Sequence, residues 1–402
     1  MRPITETISL EEARDLLFEA AVPIERTERI PLGDSLGRVV ARAVTSKVDV
    51  PPFDRAAMDG YAVIAEDTFG AGPYDPRTLH CVERVYTGQV PKRSLARGEC
   101  IEIATGAPLP AGADAVVMVE ETEKESDDRI RVLTPVYPRQ HVGRRAADIA
   151  AGQAVLAAGD RLIPSRIGAL AATGITEVDV YDRPHIAILS TGNEIVEPGS
   201  ALGPGQIYDI NRYTLSAIVA DHGGVPVAYQ TAQDTIDDLE RAIDRCLAED
   251  VMVFSGGSSV GERDLIMDVL HTSGEVVFHG IAVKPGKPTV FGRISGRPVL
   301  GMPGYPTSCL SNAYMLLVPM LRRMARLPEH RAHTVSLPLA RRIVSTTGRH
   351  QFYTVRIVDG SAVPAFKASG DITSMSQADG YIEIPAQTDI VEAGEMVEVK
   401  LF

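Results

Sequence analysis

Four consecutive apolar residues, Val251-Met252-Val253-Phe254, empty directly into Ser255-Gly256-Gly257-Ser258-Ser259 and close on the acids of Gly261-Glu262-Arg263-Asp264. An unbroken apolar run fits a strand covered on both faces, which constrains everything that can flank it. The Gly/Ser turn offers backbone N–H groups and hydroxyls with almost no side-chain bulk, so it can cradle an oxyanion. Because Leu265, Ile266, Val269 and Leu270 follow with helical spacing, the turn opens onto a helix N-terminus, where unpaired N–H groups and the macrodipole favour phosphate. The same residues also read as a tight strand-to-helix connection that uses glycine for positive φ. The rest of the chain has to decide.

In chain order, Ser9 is a candidate N-cap for an amphipathic helix with Leu10, Ala13, Leu16, Leu17 and Ala20 on one face. From about 46 to 140 the texture changes to short alternating strands broken by Gly and Pro, the pattern of a small β domain. It carries an irregular loop with two acids and an arginine, Pro51-Pro52-Phe53-Asp54-Arg55-Ala56-Ala57-Met58-Asp59-Gly60, and a small-residue turn, Ala104 to Asp114. Residues 141–182 return to a helix-and-turn texture in which Arg144-Arg145 stand near Asp148, by themselves a solvated connector with a surface ion pair. From Arg183 strand and helix patterns alternate, a βαβ rhythm that implies a parallel, doubly wound sheet with its ligand outside the strands' carboxyl ends. Three polar turns fall on that edge: Ser190 to Glu194, Gln233-Asp234, and Ser255 to Asp264. Beyond about Leu327 the pattern is β again, a barrel or sandwich in which nothing has catalytic spacing.

The chain has 402 residues, enough for two to four domains at about 100–200 residues each. Its 40 Lys+Arg against 53 Asp+Glu give a net charge of −13, which argues against a nucleic-acid partner. An anionic ligand therefore needs a local basic patch. A polar N-terminus and the lack of a long apolar run argue against a signal peptide or membrane span, and so for a cytoplasmic protein. Cys81, Cys100, Cys246 and Cys309 are widely spaced in sequence, which speaks against zinc or a disulfide framework; Cys309, at a helix start, is also a candidate for an activated thiol. No G-x-G-x-x-G follows a strand, which weighs against a dinucleotide-dependent oxidoreductase.

The basic patch is supplied by Lys284-Pro285-Gly286-Lys287, which holds two of the chain's seven lysines. In a chain that otherwise prefers arginine, two ammonium groups on a proline-stiffened loop read as a point-charge clamp on an oxyanion, against the plainer reading of a surface turn. After it, Gly301-Met302-Pro303-Gly304-Tyr305-Pro306 is a fixed turn, with Thr307 or Ser308 as the expected N-cap of an apolar helix.

Seven segments in register, PPFDRAAMDGYAV, TGAPLPAGADAVVMVEET, ILSTGNEI, GQIYDINRYTLSAIV, FSGGSSVGERD, KPGKPTVFG and GMPGYPTSCL, closely resemble the MoeA family, the molybdopterin molybdenumtransferases that include the catalytic domain of gephyrin. The resemblance covers essentially the whole chain. It implies a multidomain α/β plus β fold: a discontinuous helical domain (1–45 and 141–182), a β domain (46–140), a doubly wound molybdopterin-binding α/β domain (183–326) and a C-terminal β domain (327–402). It also implies a homodimer whose active site is shared between subunits. The expected reaction inserts molybdate or tungstate into adenylylated molybdopterin with Mg²⁺-dependent release of AMP, and the adenylyltransferase of the same pathway is a possible partner.

Carried onto this sequence, the resemblance assigns catalytic positions to Asp59, Asp148, Glu194, Asp234, Asp264 and Lys284. Glu194, Asp234 and Asp264 are the expected Mg²⁺ ligands. Substrate-binding positions fall on Thr191, Gly192, Ser255, Gly256, Gly257, Ser258 and Lys287, and on Pro303, Gly304, Pro306, Thr307 and Ser308. Carboxylates cannot hold an anionic pyrophosphate or molybdate directly, so they suit a cation while the lysines and the Gly/Ser turn meet the oxyanions. Three positions depart from the family pattern: Ala147 replaces a glutamate, Tyr305 an asparagine, and Gly280 a basic residue found in some members. The alternatives are adenylylation of molybdopterin and a pterin-binding scaffold without turnover.

Overall fold

The structure is a computed structural model that describes residues 6–232, 235–256 and 265–402. The chain divides into two compact units, a larger one built from the segments up to Glu28, Gly37–Val39 and Tyr181–Phe402, and a smaller one of Arg29–Leu36 and Val40–Val180. The first helix, α1 (Leu10–Ala20), belongs to the larger unit and buries Leu10, Ala13, Leu17 and Ala20. Ser9 caps it as expected, its hydroxyl accepting from the Glu12 N–H at 3.0 Å.

The smaller unit is built on a six-stranded sheet of β1 (Gly60–Val63), β2 (Arg77–Val85), β3 (Glu99–Ile103), β4 (Ala115–Met118), β5 (Thr122–Lys124) and β6 (Arg129–Val132). The strand order is β4-β1-β3-β2-β6-β5, and only β2 and β3 run parallel. Along β1, Tyr61 and Val63 enter one apolar cluster and Ala62 the other, the period of two that a sheet packed on both faces requires. Of the stretch 141–182, only α2 (Pro164–Ala172) is α-helical. Proline sits at its first position, and Leu170 packs with Val40, Leu162 and Val178.

The larger unit carries the doubly wound domain. Its elements are β7 (His185–Ser190), α3 (Asn211–Asp221), β8 (Val225–Ala228), α4 (Ile236–Cys246), β9 (Val251–Ser255), α5 (Leu265–Ser273), β10 (Gly274–His279), β11 (Val283–Lys284), β12 (Val290–Ile294), β13 (Arg297–Met302), α6 (Pro306–Asn312) and α7 (Val318–Met324). The sheet order is β8-β7-β9-β13-β12-β10. Alternate residues of β9 serve opposite cores: Val251 and Val253 join one, Met252 and Phe254 the other. The strand is indeed covered on both faces. The βαβ rhythm suggested a parallel sheet, but β12 runs antiparallel to both its neighbours, β13 and β10. The reason is local: Ser295 and Gly296 both have positive φ, and that two-residue turn returns β12 directly into β13 as a hairpin.

A second correction concerns the helix after the Pro303 turn. It begins at Pro306 with Tyr305 at the cap position and no side-chain cap, so neither Thr307 nor Ser308 is the N-cap. Between α6 and α7 one π-helical turn spans Ala313–Leu317, just ahead of Pro319, whose missing N–H a regular helix could not accommodate without a lost bond.

The C-terminal strands are β14 (Thr334–Pro338), β15 (His350–Val358), β16 (Ser361–Pro364), β17 (Gly380–Ile384) and β18 (Met396–Leu401). They form a sheet ordered β11-β15-β17-β18-β14, with β16 on the free side of β15. Its edge strand is thus β11, which carries Lys284 and pairs in parallel with His350 and Gln351. No described helix is long and apolar enough to cross a membrane.

Candidate active site

Three neighbouring parallel strands, β7, β9 and β13, end together, with Ser190, Ser255 and Met302 in register. Beyond that edge lies a cleft of about 600 Å³. At its floor the buried Ser190 and Ser255 hydroxyls lie 3.2 Å apart. The Gly256 backbone is pressed against Thr191: with φ +94°, an added Cβ would lie 2.4 Å from the Thr191 carbonyl oxygen. Only glycine lets the chain leave β9 there. Of the Ser/Gly turn, Ser255 and Gly256 therefore line the cleft, while Gly257, Ser258 and Asp264 lie outside the described residues, as does Asp234.

The lysine loop forms a second wall through Lys284, Gly286 and Lys287. Gly286 has φ +103°, and a Cβ would collide with the Asn312 amide at 2.4 Å. That amide donates to the Gly286 carbonyl at 2.9 Å and the Thr289 hydroxyl at 2.6 Å, so the loop is pinned to α6 from beneath. Lys284 Nζ donates to Thr346 Oγ1 at 2.8 Å, which aims the ammonium along the C-terminal segment. Pro303, Gly304, Pro306 and Ser308 line the opposite side. Thr307 does not: it is fully buried, and its hydroxyl donates to the Asp371 carbonyl at 2.9 Å.

Glu194 is exposed on the cleft rim. Gly192, buried at φ +144°, leaves room for its carboxylate, since a Cβ there would come within 2.8 Å of both oxygens. Among the described residues no three His, Cys, Asp or Glu side chains gather as a metal site. As a single hard oxygen donor facing an open cleft, Glu194 fits a cation that keeps most of its waters, as Mg²⁺ does.

Some lining residues were not foreseen. Asp209 and Asn211 sat inside a quoted motif without a role. Asp209 is buried and accepts from the Arg212 N–H at 3.0 Å, and Asn211 donates to the Gly304 carbonyl at 2.8 Å, tying α3 to the proline turn. Arg349 and Ser369 come from the C-terminal segment, in which no catalytic spacing was legible. They arrive because β11 pairs with β15, a tertiary fact with no local signal. With Lys284, Lys287 and Arg349, the cleft gathers three cations in a chain of net charge −13.

Asp59 and Asp148 belong to the smaller unit. Asp59 is exposed beside a pocket of about 220 Å³ lined also by Tyr61, Arg84, Tyr86 and Glu102. The Thr105 N–H donates to Asp59 Oδ1 at 2.6 Å and its hydroxyl at 2.9 Å, and these bonds hold the carboxyl below its ordinary pKa. Asp148 is exposed, with its N–H on the Val50 carbonyl at 3.0 Å. Its expected neighbour Arg145 is engaged elsewhere, Nε meeting Asp49 Oδ2 at 2.5 Å. In the larger unit Cys309 is fully buried and its thiol is pushed up by desolvation, so it is a core residue and not an activated thiol.

Comparison with known proteins gives the same family along the chain. Residues 8–174 match the MoeA N-terminal region (domain I and II), 187–323 a probable molybdopterin binding domain, and 336–402 the MoeA C-terminal region (domain IV). The chain is 35% identical to molybdopterin molybdenumtransferase 2 of Mycobacterium tuberculosis, covering 92% of this chain and 94% of the relative. It is 33% identical to a putative molybdopterin biosynthesis protein of Methanocaldococcus jannaschii over the full length of both. The crystal structure of the molybdopterin biosynthesis MoeA protein from Pyrococcus horikosii superposes with a TM-score of 0.84 at 41% identity, covering 98% of this chain and 99% of that one. From its sequence segments, its doubly wound sheet and these relatives, the chain belongs to the MoeA family, the molybdopterin molybdenumtransferases.

Proposed function

We propose that this protein inserts molybdate or tungstate into adenylylated molybdopterin and releases AMP. The observation that carries the reading is the cation-lined cleft at the carboxyl edge of β7, β9 and β13, where an acidic protein concentrates Lys284, Lys287 and Arg349. Pyrophosphate and molybdate are both anionic. The two ammonium groups act as point charges and the guanidinium as a planar fork. The Ser255 and Gly256 end of β9 approaches the phosphates, since nothing bulkier than a hydroxyl stands there.

Glu194, together with Asp234 and Asp264, would hold Mg²⁺, which supplies charge neutralisation at the phosphates when bound. The carboxylates themselves meet no oxyanion. Asp59, kept anionic by Thr105, and Asp148 would complete the site from the second subunit of a homodimer. In this reading the chain has four functional domains (1–45 with 141–182, 46–140, 183–326 and 327–402), works in the cytoplasm, and receives its substrate from the adenylyltransferase of the same pathway.

The test is incubation of the purified protein with adenylylated molybdopterin, Mg²⁺ and either molybdate or tungstate, following AMP and bound metal. AMP release with metal incorporation is expected; no AMP with either oxyanion sinks the reading. Consumption of ATP in its place would make the protein an adenylyltransferase, and pterin binding without turnover a scaffold. Mixing inactive Asp59→Ala and Lys284→Ala subunits should restore part of the activity if the site spans two chains.

A further inference from the structure

Two of the four cysteines, nineteen positions apart in sequence, lie side by side in the smaller unit. Cys81 on β2 and Cys100 on β3 are register partners on adjacent parallel strands. Adjacent strands run about 4.8 Å apart, inside the Cα range of about 4.4–6.8 Å that a disulfide spans. Register partners in a parallel pair point to the same face, and both thiols pack in the cluster that holds Tyr61, Leu79 and Val117. They differ in access: Cys100 is fully buried, whereas Cys81 is partly exposed. A β-bulge follows directly after Cys81, so this edge of the pair has an extra residue's freedom to adjust.

We propose that Cys81 and Cys100 form a reversible thiol–disulfide site that responds to hydroperoxides. Cys81 attacks as thiolate: an S–O bond forms, the peroxide O–O bond breaks, and the departing hydroxide or alkoxide takes up a proton, leaving a sulfenic acid. The Cys100 thiol then gives up its proton and attacks the Cys81 sulfur. The S–S bond forms and the hydroxyl leaves as water. Two thiols are oxidised and one hydroperoxide is reduced to water and an alcohol, or to two waters when the oxidant is hydrogen peroxide. A small-molecule thiol reverses the step by exchange.

The division of labour follows from the surroundings. Donation from Cys100 lowers the Cys81 pKa to about 6, with burial opposing it, while the Cys100 thiol is raised. Cys246 is driven up by desolvation to about 12, and Cys309 is also raised. Those two thiols are inert by the same criterion that makes Cys81 reactive.

Peroxide treatment of the full-length protein, followed by denaturing alkylation and peptide mapping, tests this directly. A Cys81–Cys100 linked peptide should form at least about tenfold faster than oxidation of Cys246 or Cys309, and a dithiol reductant should remove it. Cys100→Ser should leave Cys81 as a sulfenic acid that dimedone traps. Full alkylation of both thiols after peroxide, or a Cys81 sulfinic acid in the wild-type protein with no linked peptide, overturns the proposal. Because the map is read on the wild-type chain, an unstable variant cannot obscure the answer.

Discussion

Asp59 and Glu383 are both carboxylates held below their ordinary pKa, one in each unit, and they have opposite fates. Glu383 is largely buried; desolvation raises its pKa, but His350, Lys400 and Arg14 outweigh it and bring it to about 2. Lys400 Nζ lies 2.9 Å from Oε1, His350 Nε2 3.2 Å from Oε2, and Arg14 Nη2 3.9 Å from Oε1. Asp59 is exposed, and its donors are an N–H and a hydroxyl from one residue, Thr105. A carboxylate surrounded by cations has spent its charge on the fold. One held by neutral donors keeps its charge unneutralised at the surface.

The largest effect should come from Glu383→Gln, which leaves the half-buried Lys400 and Arg14 without the buried carboxylate they face. It should cost about 3 kcal/mol in chemical unfolding. The sign with pH is fixed: because the folded pKa is depressed, this stabilisation is complete above about 4.5 and is lost as pH falls toward about 2. A variant equal to wild type in stability would break the contrast at once.

Next in size, Lys284→Met should lower kcat/KM for AMP release roughly a hundredfold with little change in unfolding, because among the described residues its ammonium lines the cleft and donates to Thr346. Asp59→Asn should lower kcat/KM about tenfold and leave stability within about 0.5 kcal/mol, the mirror image of Glu383→Gln. If it unfolded the smaller unit, Asp59 would be structural after all. Thr105→Val is the smallest and sharpest probe. Without the hydroxyl donor the Asp59 pKa rises toward its ordinary value, so the acid limb of the pH–rate profile should move to higher pH with only a few-fold loss at neutral pH.

The doubly wound sheet was legible because each β9 residue announces its own burial, and Ser9 announces its helix by capping it. Lys284 and Lys287 were legible by scarcity. Arg349, Ser369 and Asp209 were not, since the pairing of β11 with β15 joins residues far apart in sequence and leaves no period to read, and a buried aspartate beside a helix start looks like any cap. The one reversed strand, β12, was missed because the Ser295-Gly296 turn is only two residues long. Of the carried-over acids, Asp234 and Asp264 lie outside the described residues, so the motif alone speaks for them.

The two-residue strand β11 has a consequence for how this protein can be cut or recombined. Lys284 belongs by sequence to the molybdopterin-binding segment and by hydrogen bonding to the C-terminal sheet. A shortened chain ending near 326 would keep every segment of the doubly wound sheet yet lose the strand and hydroxyl that hold Lys284. Exchange of C-terminal segments between relatives should therefore alter oxyanion selectivity without touching any motif of the α/β domain.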